Sequence, residues 1–378
     1  MASGIGNPTK RLSFIGPKED TFGYGRMSVS LQAALLAGGT VLDDRAEKVV
    51  YAMQPNQIAG WYKGQKPALL TMWETDTLPE KFYRYLDQFE TVIVPSMFNF
   101  DLFERYHDNV HMIPLGVDRT VWFPEPFVSD GKFRIVCGGS NFLRKGLDVA
   151  LEVFSSLGLA DSELHIKLVH PFLDAPKSLD HPNVVVHREI MSLADEVALM
   201  RQADMFVAPS RGEGFGLMPL QAISLGIPTA LTDAHGHREF SSLATHRLSS
   251  TLAPADLGRW PMTGLWHEPN RDELSEAIID VYHNRDKYRK KAIKTAPEVA
   301  AFSWEVAAKQ LVQIMKPNTR TVGDKWVAAL EPTCVIRVKT RVKATIGTYT
   351  VDLAPGVDHD VVLNVRDTLI EAKMLEGQ

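Results

Sequence analysis

Residues 209–226 read PSRGEGFGLMPLQAISLG, and their composition changes sharply halfway along. Gly212, Gly214 and Gly216 crowd around Glu213, and an apolar stretch opens directly afterwards at Leu217. Upstream, Met205–Ala208 (MFVA) reads as a short buried strand. Strand, glycine turn and helix in that order form the repeating unit of a parallel α/β sheet. The first turn of such a helix carries unpaired N–H groups and a partial positive charge. Glycines ahead of it allow a ligand's phosphates to approach the backbone, and Pro219 fits an early helical position. A plain connection without ligand would use the same glycines. Glu213 separates the two readings, because a carboxylate at a strand's C-terminal end can accept hydrogen bonds from sugar hydroxyls and has little to pack against.

Working outward, short apolar runs alternate with helical patterns on both sides. Arg11–Gly16, Lys48–Met53, Ala68–Trp73, Thr91–Pro95 and Val110–Pro114 read as strands, with helices predicted at Arg26–Ala37, Pro79–Phe89 and Asn99–Tyr106. Gly116–Gly131 breaks both periodicities and is rich in turn residues, as a linker would be. The alternation then restarts with strands at Phe133–Cys137, Leu164–Val169, Val184–His187, Met205–Ala208 and Pro228–Leu231. Helices are predicted at Leu147–Leu157, Leu193–Arg201, Leu217–Leu225, Asp272–His283 and Trp304–Met315. The fold class is therefore α/β: two Rossmann-like doubly wound domains facing across a cleft, where ligands bind at strand C-termini. The expected divisions are residues 1–125, 126–300, a crossover segment at 301–320 and a small β-rich appended unit at 321–378.

A chain of 378 residues suits two domains, and 45% hydrophobic with 23% charged residues is globular. No apolar run approaches bilayer-spanning length, and the N-terminus lacks a signal peptide's apolar core. Cys137 and Cys334 lie far apart, without zinc spacing or a disulfide framework, which fits a reducing cytoplasm. A net charge of −5 argues against a whole-surface field for nucleic acid.

The segment EGFGLMPLQA (Glu213–Ala222) resembles the donor-site signature of retaining GT-B glycosyltransferases, family 4 in particular. Further resemblances fall in family order at Met72–Phe82, Val92–Asn99, Ile113–Pro124, Leu143–Phe154 and Phe302–Leu311. The resemblance implies a nucleotide-sugar-dependent hexosyltransferase that needs no metal, with the donor in the second domain. Lys145 and Arg144 would meet the diphosphate. The backbone of Gly214, Phe215, Gly216 and Leu217 would add donors, and Glu213 would bind the transferred sugar. Gly23 and Gly25 would either approach the diphosphate from the first domain or form a plain turn. His187–Ile190 would border the base, and His170 would lie in the same cleft or on its rim. Glu239 either fills a family acidic position or is a solvated surface residue.

Two departures stand out. Ser140 occupies a place that is often arginine in the family, and Gln221 stands where a second glutamate usually holds the ribose. A neutral amide forgoes the charge-assisted hydrogen bond. On the acceptor side, Glu74 and Asp76 follow a strand C-terminus; one could orient or deprotonate the acceptor hydroxyl, or Asp76 could cap a helix ahead of Pro79. His235 and His237 lack a third metal ligand in view, and Asp358-His359-Asp360 lies in the appended unit, so no metal site is expected. Arg337, Lys339, Arg341 and Lys343 share one face if Val335–Lys343 is a strand, either as a polyanion-binding face or as a guarded edge. The appended unit resembles small β modules of bacteriophage proteins. With a shortened first domain, it suits a macromolecular acceptor such as a modified DNA base or a virion protein, and host cytoplasm as location. The rival is a non-catalytic nucleotide-sugar-binding or virion-associated protein that kept the fold.

Overall fold

The computed structural model describes residues 11–19, 23–55, 67–127, 129–168, 179, 181–257, 261–315, 333–337, 342–346, 349–353 and 358–362. The first sheet contains β1 (Arg11–Ile15), β2 (Val41–Leu42), β3 (Val49–Ala52), β4 (Ala68–Leu70), β5 (Thr91–Val94) and β6 (Val110–Met112). Its order is β2-β1-β3-β4-β5-β6, with every pair parallel. Helix α1 (Gly23–Ala37) follows β1, so the order reverses where α1 begins.

These strands are apolar on both faces, as a sheet covered on both sides requires. Val50, Leu70 and Ile93 share a cluster with Met27, Leu31 and Leu35 of α1. Val49, Leu69, Val92 and Val94 face Phe82, Leu86, Phe89 and Phe103 on the other side. The helix expected at Pro79–Phe89 is one short turn, α2 (Glu80–Tyr83), followed by a 3-10 turn at Leu86–Gln88. Breaking the helix there lets Phe82, Leu86 and Phe89 all reach the same face of the sheet. Next comes α3 (Met97–Phe103), whose N-cap Ser96 accepts a hydrogen bond from Asn99 N.

The second sheet contains β7 (Phe133–Gly138), β8 (Ser162–Lys167), β9 (Val184–His187), β10 (Met205–Ala208), β11 (Thr229–Thr232) and β12 (His246–Leu248). Its order, β12-β11-β10-β7-β8-β9, is the dinucleotide-type winding, reversing between β7 and β10. Ligands of such sheets bind beyond the strand ends at that reversal. The loops leaving β7 and β10 carry Lys145 and Glu213 respectively, so the topology alone aims both residues at one point. One face of this sheet packs on α4 (Leu147–Leu157) and α7 (Arg271–His283). The other meets α5 (Leu193–Arg201) and α6 (Leu217–Ser224). Helix α8 (Arg285–Thr295) follows, and α9 (Trp304–Ile314) packs against α1 of the first domain.

One element departs from the expected pattern. Between β12 and α7 the chain forms an antiparallel hairpin, β13 (Ser250–Asp256) and β14 (Pro261–Pro269). It reaches the loop after β4: Leu265 N donates to Asp76 Oδ1 at 2.7 Å, Asp76 N to Leu265 O at 3.1 Å, and Thr75 Oγ1 to Thr263 O at 2.7 Å. Gly264 sits at φ +92°, and a Cβ there would fall 2.3 Å from Asp76 Oδ1. Only glycine fits both that conformation and that approach.

Residues 317–378 form a separate unit. In it β15 (Thr333–Arg337) pairs with β18 (Asp358–Val362), and β16 (Val342–Ile346) pairs with β17 (Tyr349–Leu353). Asp358–Asp360 lie in β18, and the described Arg337 and Lys343 belong to different strand pairs. Lys339 and Arg341 lie outside the described residues.

Candidate active site

The loop leaving β10 brings Glu213 to the cleft, and the loop leaving β7 brings Arg144 and Lys145 against it. Glu213 is only 5% exposed. Its carboxylate pairs with the Lys145 ammonium, lies 3.6 Å from Arg144 Nη1, and accepts a hydrogen bond from Ser210 Oγ at 3.3 Å. Burial alone would raise its pKa, but Lys145 and Arg144 outweigh burial and hold it at about 2. Burial also lowers the Lys145 pKa, against the raising effect of Glu213. Around Glu213, two cations thus face one buried carboxylate.

Arg144 is locked in place. Its Nη1 donates to Gly212 O at 2.7 Å, and its backbone N to Asn141 Oδ1 at 2.9 Å. Its Nη2 lies 3.9 Å from Glu74 Oε1, which brings a carboxylate of the first domain to the cluster. Asp76 is elsewhere: its Oδ1 accepts from Leu265 N and from Thr77 Oγ1 at 3.0 Å. It anchors the hairpin rather than capping α2, whose N-terminus has no side-chain hydrogen bond.

Sequence reasoning missed Arg211, which is 6% exposed. It forms a two-pronged pair with Asp148 at 2.7 and 2.8 Å, bonds to Glu268 and Leu143 O, and lies over the Trp266 ring. Asp148 opens α4 and Glu268 ends β14, so one guanidinium ties together the Lys145 loop, the Glu213 loop and the hairpin. Nothing local in the sequence signals this, because the partners are far apart along the chain.

The glycines serve a purpose the sequence did not suggest. A Cβ on Gly212 would fall 2.2 Å from Glu74 O, and one on Gly214 would fall 2.6 Å from Met72 Cβ. Gly212 admits the first domain's backbone at Glu74, and Gly214 admits the Met72 side chain. Ser96 Oγ, at the start of α3, donates to Gly214 O at 2.8 Å. Glu239 accepts from Met97 N at 2.7 Å, so it caps α3 across the cleft and is not a solvated surface residue. A third link joins Arg26 of α1 to Glu196 of α5 at 2.7 Å, with Lys167 at 2.7 Å on the same carboxylate.

The remaining expected residues divide. Gly216 (φ +110°) caps α6, Leu217 opens it, and Phe215 is buried against Phe240 and Phe302. Gln221 is 2% exposed in α6, and its Oε1 is buried without a hydrogen-bond partner. Ser140 is half-buried in the turn after β7. Gly23 and Gly25 are inside α1 rather than in a loop ahead of it, and Gly25 is buried in the first turn. Ile190 is exposed beyond β9. His170 lies outside the described residues.

His235 and His237, in the loop after β11, are buried behind Glu213. Burial pushes the His235 pKa well below its ordinary value and His237 to about 4. Below the ordinary value of 6.5 the unfolded chain binds protons that these folded imidazoles refuse. Stability is thus expected to fall as pH drops from about 6.5 towards about 4, and Glu213's contribution, complete above 4.5, is lost as pH falls towards about 2. Urea midpoints measured from pH 7.5 to 4 check this; a flat profile would contradict it.

Two facing Rossmann-like domains with the ligand-side loops converging in the cleft are the GT-B architecture of glycosyltransferases. Solved structures bear this out: sucrose-phosphate synthase from Thermosynechococcus elongatus aligns over 81% of this chain and 98% of its own, with a TM-score of 0.61 at 13% identity. Anabaena HepE, solved with UDP and glucose, covers 80% and 98% with a TM-score of 0.60 at 12% identity. Residues 177–311 match the family described as "Family 4 Glycosyltransferase in conflict systems". In sequence, the chain is 26% identical over 236 residues to mannosylfructose-phosphate synthase of Agrobacterium fabrum, covering 56% of this chain and 48% of that protein. It is 24% identical over 181 residues to the protein designated glycosyltransferase 41 of a Sulfolobus islandicus filamentous virus, covering 47% and 50%. The chain thus spans about half the length of these curated relatives. Among the described residues, no helix is long and apolar enough to cross a membrane.

Proposed function

We propose that this protein is a retaining glycosyltransferase that takes a hexose from a nucleotide-diphosphate sugar. The observation that carries the reading is the meeting of Lys145, Arg144 and Glu213 at the order reversal of the second sheet, with Glu74 facing them from the first domain. Transfer builds negative charge on the departing diphosphate, and Lys145 and Arg144 are held where that charge would form. Glu213 is ionised and would accept hydrogen bonds from the sugar's hydroxyls. Glu74 would orient the acceptor hydroxyl. In the retaining route the bond from the sugar's anomeric carbon to phosphate breaks. The acceptor oxygen bonds on the same face, and its proton passes to the leaving phosphate. The two fixed cations neutralise that phosphate, so no metal is required: turnover is expected to survive EDTA.

A panel of UDP-, GDP- and ADP-sugars, followed for hydrolysis or transfer, tests the reading. If no donor turns over and Glu213→Ala changes nothing, the non-catalytic alternative takes its place. With a viral relative in view, a macromolecular acceptor, a modified DNA base or a virion protein, is the class to try first. Labelled sugar recovered in either fraction of a lysate would identify it.

Gln221 would hold the ribose through its buried, unpartnered Oε1. Gln221→Glu supplies the charge-assisted bond and is expected to tighten nucleotide binding about tenfold, the scale set by 1.4 kcal/mol. Unchanged affinity would mean that the ribose is held elsewhere.

A further inference from the structure

His237 has no part in the donor site described above, yet its ring is built against it. Nδ1 donates to Thr232 O at 3.1 Å, which fixes the ring and the tautomer. The ring is wedged against Gly216, where a Cβ would fall 2.5 Å from its Cδ2, and against Phe240. Nε2 is therefore the free nitrogen; it is buried, has no hydrogen-bond partner, and lies 3.9 Å from Glu213 Oε1. In a neutral ring that nitrogen presents a lone pair to a carboxylate, an arrangement tolerated only because Lys145 and Arg144 neutralise Glu213.

We propose that His237 takes up a proton when a nucleotide-diphosphate sugar binds, and that its Nε2–H then partners Glu213 as the diphosphate engages the Lys145 ammonium. This rests on the donor-site reading above. The proton comes from solvent and adds to Nε2; no other bond changes. The charged and titratable groups around the ring are Glu213, Lys145, Asp233 and His235. His235 supplies no cation, since its Nε2 donates to Ser210 O and its pKa is depressed. Burial and Lys145 hold His237 neutral, while Glu213 and Asp233 favour its charged form. A diphosphate works on both sides of that balance, adding negative charge and diverting the lysine. His237 is thereby a positioning residue that keeps Glu213 ionised and oriented.

The test is calorimetric titration of the full chain with UDP-glucose and GDP-mannose at pH 6.5, in buffers of differing ionisation enthalpy. Their diphosphate diesters do not titrate near neutrality, so a proton taken up belongs to the protein. About one proton per sugar nucleotide is expected. In His237→Asn, whose amide can still donate to Thr232 O, binding should remain measurable and the uptake should vanish. Should that variant fail to fold, the wild-type His237 imidazole followed by NMR decides, because its titration must move towards neutrality on binding. Binding without uptake, or uptake unchanged in the variant, overturns the inference alone. If no sugar nucleotide binds at all, the donor-site reading fails and this inference falls with it.

Discussion

Glu213→Gln is expected to lower kcat/KM by a factor on the order of 10² to 10³, the range for loss of one fixed electrostatic contact to a reacting centre. The substitution keeps the shape and the hydrogen bond from Ser210 but removes the charge that faces Lys145, Arg144 and His237. Lys145 is then a buried cation without its main partner, and breaking a buried pair by removing one member costs roughly 3–5 kcal/mol. Two effects therefore coincide, and a second variant separates them. Glu213→Leu combined with Lys145→Met removes both charges and should regain much of the stability, because paired burial is often no better than apolar packing. It should regain none of the turnover. Thermal denaturation and donor turnover on the three proteins check this; full turnover in Glu213→Gln would remove the carboxylate from the mechanism.

Arg211→Ala is expected to destabilise the fold by about 3–5 kcal/mol. It strips the guanidinium from Asp148, leaves Glu268 with Arg271 alone, and frees Leu143 O. Arg211→Lys should recover only part of the loss, since a lysine cannot make the two-pronged bond to Asp148 or spread flat over Trp266. Urea unfolding measures both. An alanine variant within about 0.5 kcal/mol of the parent, the ordinary scatter of surface substitutions, would show that the guanidinium is not the hub it resembles.

The parts of this structure that the sequence discloses are those whose causes are local. The passage from Met205–Ala208 through the glycine turn to Leu217–Ser224 is legible because a buried strand, a turn and a helix each have their own short-range pattern. Lys145 and Glu213 could be paired from their places at two strand ends. The hairpin was not legible: β13 carries Pro254 and an irregular register beside it, which hides period-two alternation. The hold of Asp76 on Leu265 is not legible either, because the two lie 189 residues apart. Helix α8 was missed since only Tyr288 and Ala292 of its eleven residues are buried, too few to show an apolar stripe. Gly212 and Gly214 also make room for the first domain, at the Glu74 backbone and the Met72 side chain, which no short-range pattern signals.

The contact of Ser96 with Gly214 O, and the seating of Gly212 on Glu74, bear on how freely the two domains could be recombined. The loop carrying Glu213 is finished by the neighbouring half of the molecule, so the two domains are not interchangeable parts. A chimera that grafts another first domain onto residues 133–315 would inherit Lys145 and Glu213 and still lack their support. It would need Met72, Glu74, Ser96 and the Asp76 landing point carried over with the graft. Diversification of the first domain is thereby confined to surfaces that leave those four positions untouched.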